Sequence, residues 1–261
     1  MIKYKKYVLC LLFLTILFIP YGFADEWKEF GRGRHFKIYY DKAPEDFVKK
    51  VSKYSEESFN EIMRNLGFAK YKEWKWDKDI KVYVYNDMDS YREEASHIKW
   101  SHGSALVREK VILTFPSAHG FFDSTLPHEL GHIIFREFIG QDTVVPLWLE
   151  EGVAMYQETA RRFGADEIIK KAISEGKFIP LTELSNMGLH NNTDQERLSL
   201  FYSEAASIIS FIINELGEFR FMRFCRELGQ GTTFEEALKL VYTRFNNVEQ
   251  LNKAWVEYIN K

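Results

Sequence analysis

Two histidines four residues apart, in the run His128-Glu129-Leu130-Gly131-His132, are the side chains of this sequence best suited to chemistry. On a helix, positions i and i+4 share a face, so both imidazoles can reach one metal ion. A hydrolytic zinc centre takes three protein ligands and keeps a fourth position for water, so a further His, Asp or Glu is required. Glu151 is placed for that role: it follows His132 after eighteen intervening residues, in a helical segment opening at Pro146-Leu147-Trp148. A helix, a loop and a returning helix bring its carboxylate beside the histidine pair. Glu129 sits about 100° round the helix from His128, which keeps it out of the ligand set and places it to hold the attacking water and take its proton. Ligand imidazoles need an acceptor on their other ring nitrogen, for which Glu150, Glu158 and Asp123 are the candidates by proximity in sequence. His35, His97, His102, His119 and His190 have no ligand spacing with one another.

The elements that must carry these residues divide in two. Ahead of the motif, His35 to Tyr40 reads as a strand, Pro44 opens an amphipathic helix running to about Leu66-Gly67, and Ile80 to Tyr85 alternates as a half-buried strand. Ser104 to Val107 and Val111 to Phe115 read as two short strands joined by Arg108-Glu109-Lys110. From Asp123 onward the periodicity is helical: Asp123 to Phe138, Leu147 to Phe163, Asp166 to Glu175, Leu198 to Leu216, Phe219 to Leu228, Thr233 to Tyr242 and Val248 to Ile259. With no repeat and no long linker, the expectation is a single α+β domain: a small mixed-sheet lobe over residues 25–122 and a mainly helical lobe over residues 123–261.

Composition narrows the function. Lys3, Lys5 and Lys6 precede an apolar run from Tyr7 to Ile19, then Pro20 and Gly22-Phe23-Ala24, the layout of an export signal cleaved after Ala24. An uncleaved anchor is the other reading, but thirteen apolar residues fall short of the roughly 20 a spanning helix needs. Loss of those three lysines takes the formal charge from −3 to −6, which argues against nucleic-acid and anionic-membrane partners. Cys10 lies in the signal, leaving Cys225 alone in the mature chain without a disulfide partner. Its neighbours Phe221, Met222, Phe224 and Leu228 mark it as a buried, inert thiol.

The two metal-bearing segments, His-Glu-x-x-His and Trp148-Leu149-Glu150-Glu151-Gly152-Val153-Ala154, resemble the gluzincin signature. Thermolysin-like and zinc aminopeptidase families carry it, and the short exported form is most similar to the bacterial peptidase MA-like group. That resemblance implies a zincin-like catalytic domain, one Zn2+ per chain and hydrolysis of a peptide or protein substrate outside the cytoplasm, in the periplasm or secreted. Phe201-Tyr202-Ser203-Glu204-Ala205-Ala206 is similar to the Tyr-x-x-Gly-Ala helix start of related aminopeptidases, which implies an oxyanion role for Tyr202, with Tyr156 behind it. Ala205 stands where that pattern has glycine. The Gly-x-Met-Glu-Asn segment with which those aminopeptidases grip a free amino terminus is missing. His102 to Val107 takes its place as an edge strand for a substrate backbone, which points to endopeptidase action. Two rivals stand beside this reading: a zinc-stabilised peptide-binding or scaffolding protein of the cell envelope, and an enzyme of the same site type acting on another amide or a cell-wall peptide. Glu129 leans against the first, because a structural metal site has no use for it.

Overall fold

Five strands form one mixed sheet in the order β1-β2-β3-β5-β4, made of β1 (Lys28–Arg32), β2 (Phe36–Tyr40), β3 (Ile80–Val84), β4 (Ser104–Leu106) and β5 (Val111–Thr114). Strands β2, β3 and β5 run parallel, and β1 and β4 close the two edges antiparallel to β2 and β5. The structure, a computed structural model, describes residues 27–76, 78–94, 103–158, 165–188 and 194–261. The expected export signal with Cys10, the histidines His97, His102 and His190, and the expected helix end around Phe163 lie outside those residues.

Position in the sheet overturns one expectation. β3 is more than half-buried: it is central, and although Lys81 is exposed, Tyr83 and Tyr85 are buried along with Ile80, Val82 and Val84. The aliphatic face of the sheet meets the main core, while Tyr83, Tyr85, Val111, Leu113 and Phe115 pack with Tyr91 on the other. Tyr91 belongs to α2 (Met88–Glu94), a short helix with no signal in the periodicity. Lys110, in the β4–β5 turn, has a φ of 55° and reaches Glu137, on the helix that carries His128 and His132, at 2.6 Å. Arg108 of the same turn meets Asp142 at 2.6 Å, so the hairpin is pinned at two points to the helical half of the chain.

The amphipathic helix after Pro44 is α1 (Glu45–Asn65), with Val48, Val51, Phe59 and Ile62 inward. Downstream come α3 (Leu126–Ile139), α4 (Leu147–Tyr156), α5 (Ala165–Ser174), α6 (Leu181–Leu184), α7 (Gln195–Asn214), α8 (Glu218–Gly229), α9 (Phe234–Val241) and α10 (Val248–Ile259). The segment expected as helix from Asp123 opens instead with a π-helical turn, Phe121–Thr125, before α3. α4 stops at Tyr156, α6 is additional, and α7 starts three residues early, where Asp194 accepts the backbone N–H of Arg197 and caps it. One core runs unbroken from Phe36 in the sheet to Ile259 in the last helix. Cys225 lies fully buried in it, its thiol pushed well above the ordinary range by desolvation. Among the described residues no helix is long and apolar enough to cross a membrane.

Candidate metal centre

Glycine and alanine decide how closely the three central helices approach. A Cβ on Gly131 would lie 2.9 Å from Ala154 Cα, and one on Gly152 would lie 2.4 Å from the Ala205 carbonyl oxygen. The first contact seats α4 on α3 and the second seats it on α7, with backbone against backbone at both. Glu151 sits beside one of these contacts and is thereby delivered to the face of α3 that carries the histidines. Ala205 is tolerated where glycine was expected because the space at this crossing is supplied by Gly152.

On that face His128 Nε2 and His132 Nε2 are 3.2 Å apart. Glu151 Oε2 lies 3.9 Å from the first and 3.8 Å from the second. The point equidistant from these three atoms is about 2.1 Å from each, the bond length zinc makes with imidazole nitrogen and carboxylate oxygen. Two nitrogen donors and one oxygen donor on a three-point base, with water access left on the open side, is the donor set of a catalytic zinc centre, and the residues fit the ion. Side-chain exposure is 20% for His128, 11% for His132 and 20% for Glu151, enough to admit a small substrate group but low enough to strengthen every charge inside.

The surrounding groups set each ligand's state. His128 Nδ1 lies 2.8 Å from Glu158 Oε1, and Glu158, only 3% exposed, takes the Ser124 hydroxyl on its other oxygen. Burial opposes the His128 cation, but the Glu158 hydrogen bond and the charges of Glu129, Glu158 and Glu151 outweigh it and raise the pKa. His132 is pushed down to about 3 by burial, then by His128 and Arg136, and stands as neutral imidazole ready to ligate. Burial also raises Glu151, with Glu150 and Glu158 adding to it against His128. Glu129 is raised to about 7 by burial, with Glu151 and Glu158 contributing, while His128 and the backbone N–H of Ala105 in β4 pull the other way. Several half-buried carboxylates around two imidazoles leave uncompensated negative charge, which a divalent cation relieves.

Of the three acidic candidates, Glu158 orients His128. Glu150 stands 4.0 Å from His132 Nδ1, too far for a hydrogen bond, and its carboxylate is held by Arg136. Asp123 makes no hydrogen bond to either ring among the described residues; its neighbour Ser124 serves the site through Glu158. Tyr156 is not available to an oxyanion: its hydroxyl donates to Asn214 Oδ1 at 3.0 Å, at the far end of α7, about 18 Å along the helix from Tyr202. Tyr202 is half-buried on α7, edge-on to Phe201. Sequence reasoning missed Ser124, Arg136 and Ala105. A signal existed for two of them, since Ser124, His128, His132 and Arg136 recur every four residues along one face.

The model of the Peptidase MA superfamily matches residues 66–261. The chain belongs to that superfamily. A solved structure of native yeast LTA4 hydrolase superposes with a TM-score of 0.51 at 15% identity, covering 88% of this chain and 39% of that one. The chain therefore spans well under half the length of that neighbour, and the likeness establishes the fold. No curated protein matches the sequence. Superfamily membership and fold agree with the gluzincin resemblance and support a peptidase in the broad sense.

Proposed function

We propose that this member of the Peptidase MA superfamily is an exported zinc endopeptidase, holding one Zn2+ through His128, His132 and Glu151. The observation that carries this reading is the convergence of those three ligand atoms within 4.8 Å of one another, beside a fourth group, Glu129, that is not one of them. Zinc, when bound there, supplies the Lewis acid that acidifies a water and polarises the scissile carbonyl. Glu129 takes a proton from that water as its oxygen attacks the carbonyl carbon, and passes the proton to the departing amine nitrogen. The Ala105 N–H holds the Glu129 carboxylate from the strand side. Tyr202 lies three residues before Ala205, on the side of α7 that meets α4 next to Glu151, which supports a role for its hydroxyl as donor to the oxyanion.

Cleavage of internal bonds is favoured by β4. It is the terminal strand of the sheet, so an extended peptide can pair with its outer edge, and no Gly-x-Met-Glu-Asn segment offers a carboxylate to a free amino terminus. The test uses internally quenched peptides blocked at both ends, with zinc content measured on the same samples. Wild type is expected to carry one zinc and cleave; Glu129→Gln is expected to keep the zinc and lose about 10²–10⁴-fold in rate. A wild type that holds zinc and cleaves no peptide would favour the peptide-binding reading, and one that takes up no zinc would end both.

A further inference from the structure

The third ligand comes from a doublet. Glu150 closes the first turn of α4 and Glu151 follows it, about 100° round the helix, and each stands near the same imidazole: Glu151 Oε2 is 3.8 Å from His132 Nε2 and Glu150 Oε1 is 4.0 Å from His132 Nδ1. Glu151 stands at the Nε2 edge of that ring with the other candidate ligand atoms, and Glu150 at the Nδ1 edge, so a released Glu150 is an adjacent carboxylate that could turn to the ion. Among the described residues, Glu150 is held by an arginine and Glu151 is not. Arg136 donates from Nε to Glu150 Oε1 at 2.8 Å and from a terminal nitrogen to Oε2, closing a two-pronged fork on that carboxylate alone. Its other terminal nitrogen donates to the Thr143 carbonyl at 2.7 Å, which ties the loop between α3 and α4 to the same guanidinium. The pair is 15% and 21% exposed, and an arginine cannot escape it by losing its proton.

We propose that Arg136 selects the third metal ligand: by clamping Glu150 and holding its carboxylate off the ion, it leaves Glu151 alone to meet His128 and His132. Arg136 is thus a positioning residue, one helical turn beyond His132 and on the same face, and the proposal rests on the metal-binding reading above. Lysine cannot replace it fully, since a single ammonium keeps the charge but not the planar fork.

The experiment measures Zn2+ affinity by competition with a chromogenic chelator, and the visible d–d spectrum of the Co2+-loaded protein, for full-length chains whose folding is checked by circular dichroism. Arg136→Met is expected to lose about 10–100-fold in zinc affinity and to show weaker cobalt bands as the released Glu150 adds to the coordination. The double variant Arg136→Met/Glu150→Gln, with the competing charge removed, is expected to recover most of the affinity and the wild-type spectrum; Arg136→Lys should fall between. Glu150→Gln alone should keep its zinc, and a loss of metal in this arm counts against the proposal even where Arg136→Met does not fold. The proposal is overturned by an Arg136→Met protein that binds zinc like wild type, by a double variant no better than the single one, or by loss of metal in Glu150→Gln. A wild type that binds neither ion removes the metal centre itself, and this selection with it.

Discussion

Where α4 crosses α3 and α7 the helices touch through glycine and alanine; around α8 and α9 they touch through aromatic rings. Gly131 against Ala154 and Gly152 against Ala205 bring backbone against backbone, the nearest contact at each being a main-chain atom that cannot rotate away. Around α8 and α9, Phe224 lies 5.4 Å from Phe234 and 5.9 Å from Tyr242, and Phe234 lies 5.7 Å from Trp148. Rings of this size remove much apolar surface from water and supply stability, yet they tolerate a shift of a few tenths of an ångström. Backbone contacts supply less burial but hold the helices in one place, and a metal site needs its donors within a few tenths of an ångström of ideal. The two regions divide the work: one holds the chain folded, the other holds three ligand atoms in position.

The comparison can be broken by substitutions on either side. Phe224 is buried and its ring meets those of Phe234 and Tyr242; Phe224→Ala is expected to cost about 3–5 kcal/mol in denaturant unfolding, while the fraction that remains folded binds zinc normally. Loss of metal affinity along with stability would show that the regions are not separable. Gly152→Ala reverses the pattern. It should cost about 1–3 kcal/mol by overpacking, and, because it pushes α4 away from α7 and carries Glu151 with it, its zinc affinity should fall further than its stability. A variant with intact zinc affinity would mean that the 2.4 Å approach is relieved without moving the ligand. Glu158→Gln leaves the packing alone and removes the charge behind His128, so chelator competition should report a loss of about 10–100-fold with little change in unfolding midpoint.

A carboxyl next to Ala205 on α7 is probed by pH rather than by packing. Glu204 is fully buried, with Oε1 accepting the Ile179 N–H at 3.0 Å and Oε2 without a hydrogen-bond partner among the described residues. Burial pushes it up to about 8 from 4.5, Glu183 adding to it while the Ile179 hydrogen bond and Arg197 act against it. Between those two values the folded protein keeps a proton that the unfolded chain has lost, so stability falls as pH rises, by up to about 1.4 kcal/mol per pH unit. Glu204→Gln should remove that slope and be the more stable protein at pH 8. Equal slopes for the two proteins in urea titrations at several pH values would show that Glu204 ionises as readily folded as unfolded.

The long elements were legible because their patterns are local. α1, α3 and α7 to α10 follow the apolar period of a helix, and β2 and β5 are short apolar runs between turns. β1 was not: Lys28-Glu29-Phe30-Gly31-Arg32 is mostly exposed and pairs on one side only, so it carries no alternation to read. α2 and α6 are too short for a period to emerge, and the solvent alternation assigned to β3 holds at Lys81 but fails at Tyr83 and Tyr85, which the cluster around Tyr91 covers. At the site, Glu158, Glu150 and Asp123 looked equivalent in sequence. Only the fold separates them, sending one to His128 at 2.8 Å, one to Arg136, and leaving Asp123 with no hydrogen bond to either ring among the described residues.

By itself the sequence determined that His128 and His132 share a helix face, that Glu129 cannot join them on one ion, and that a helix carrying a Glu150-Glu151 doublet returns at the right distance. These follow from the fixed period of the α-helix and need no partner. Tertiary structure decided the rest: that Gly131 and Gly152 admit the backbones which bring α4 to the histidines, that β4 lends an N–H to Glu129, and that Arg136 takes Glu150 out of contention. Each of these depends on groups made neighbours by packing, so no local period records them.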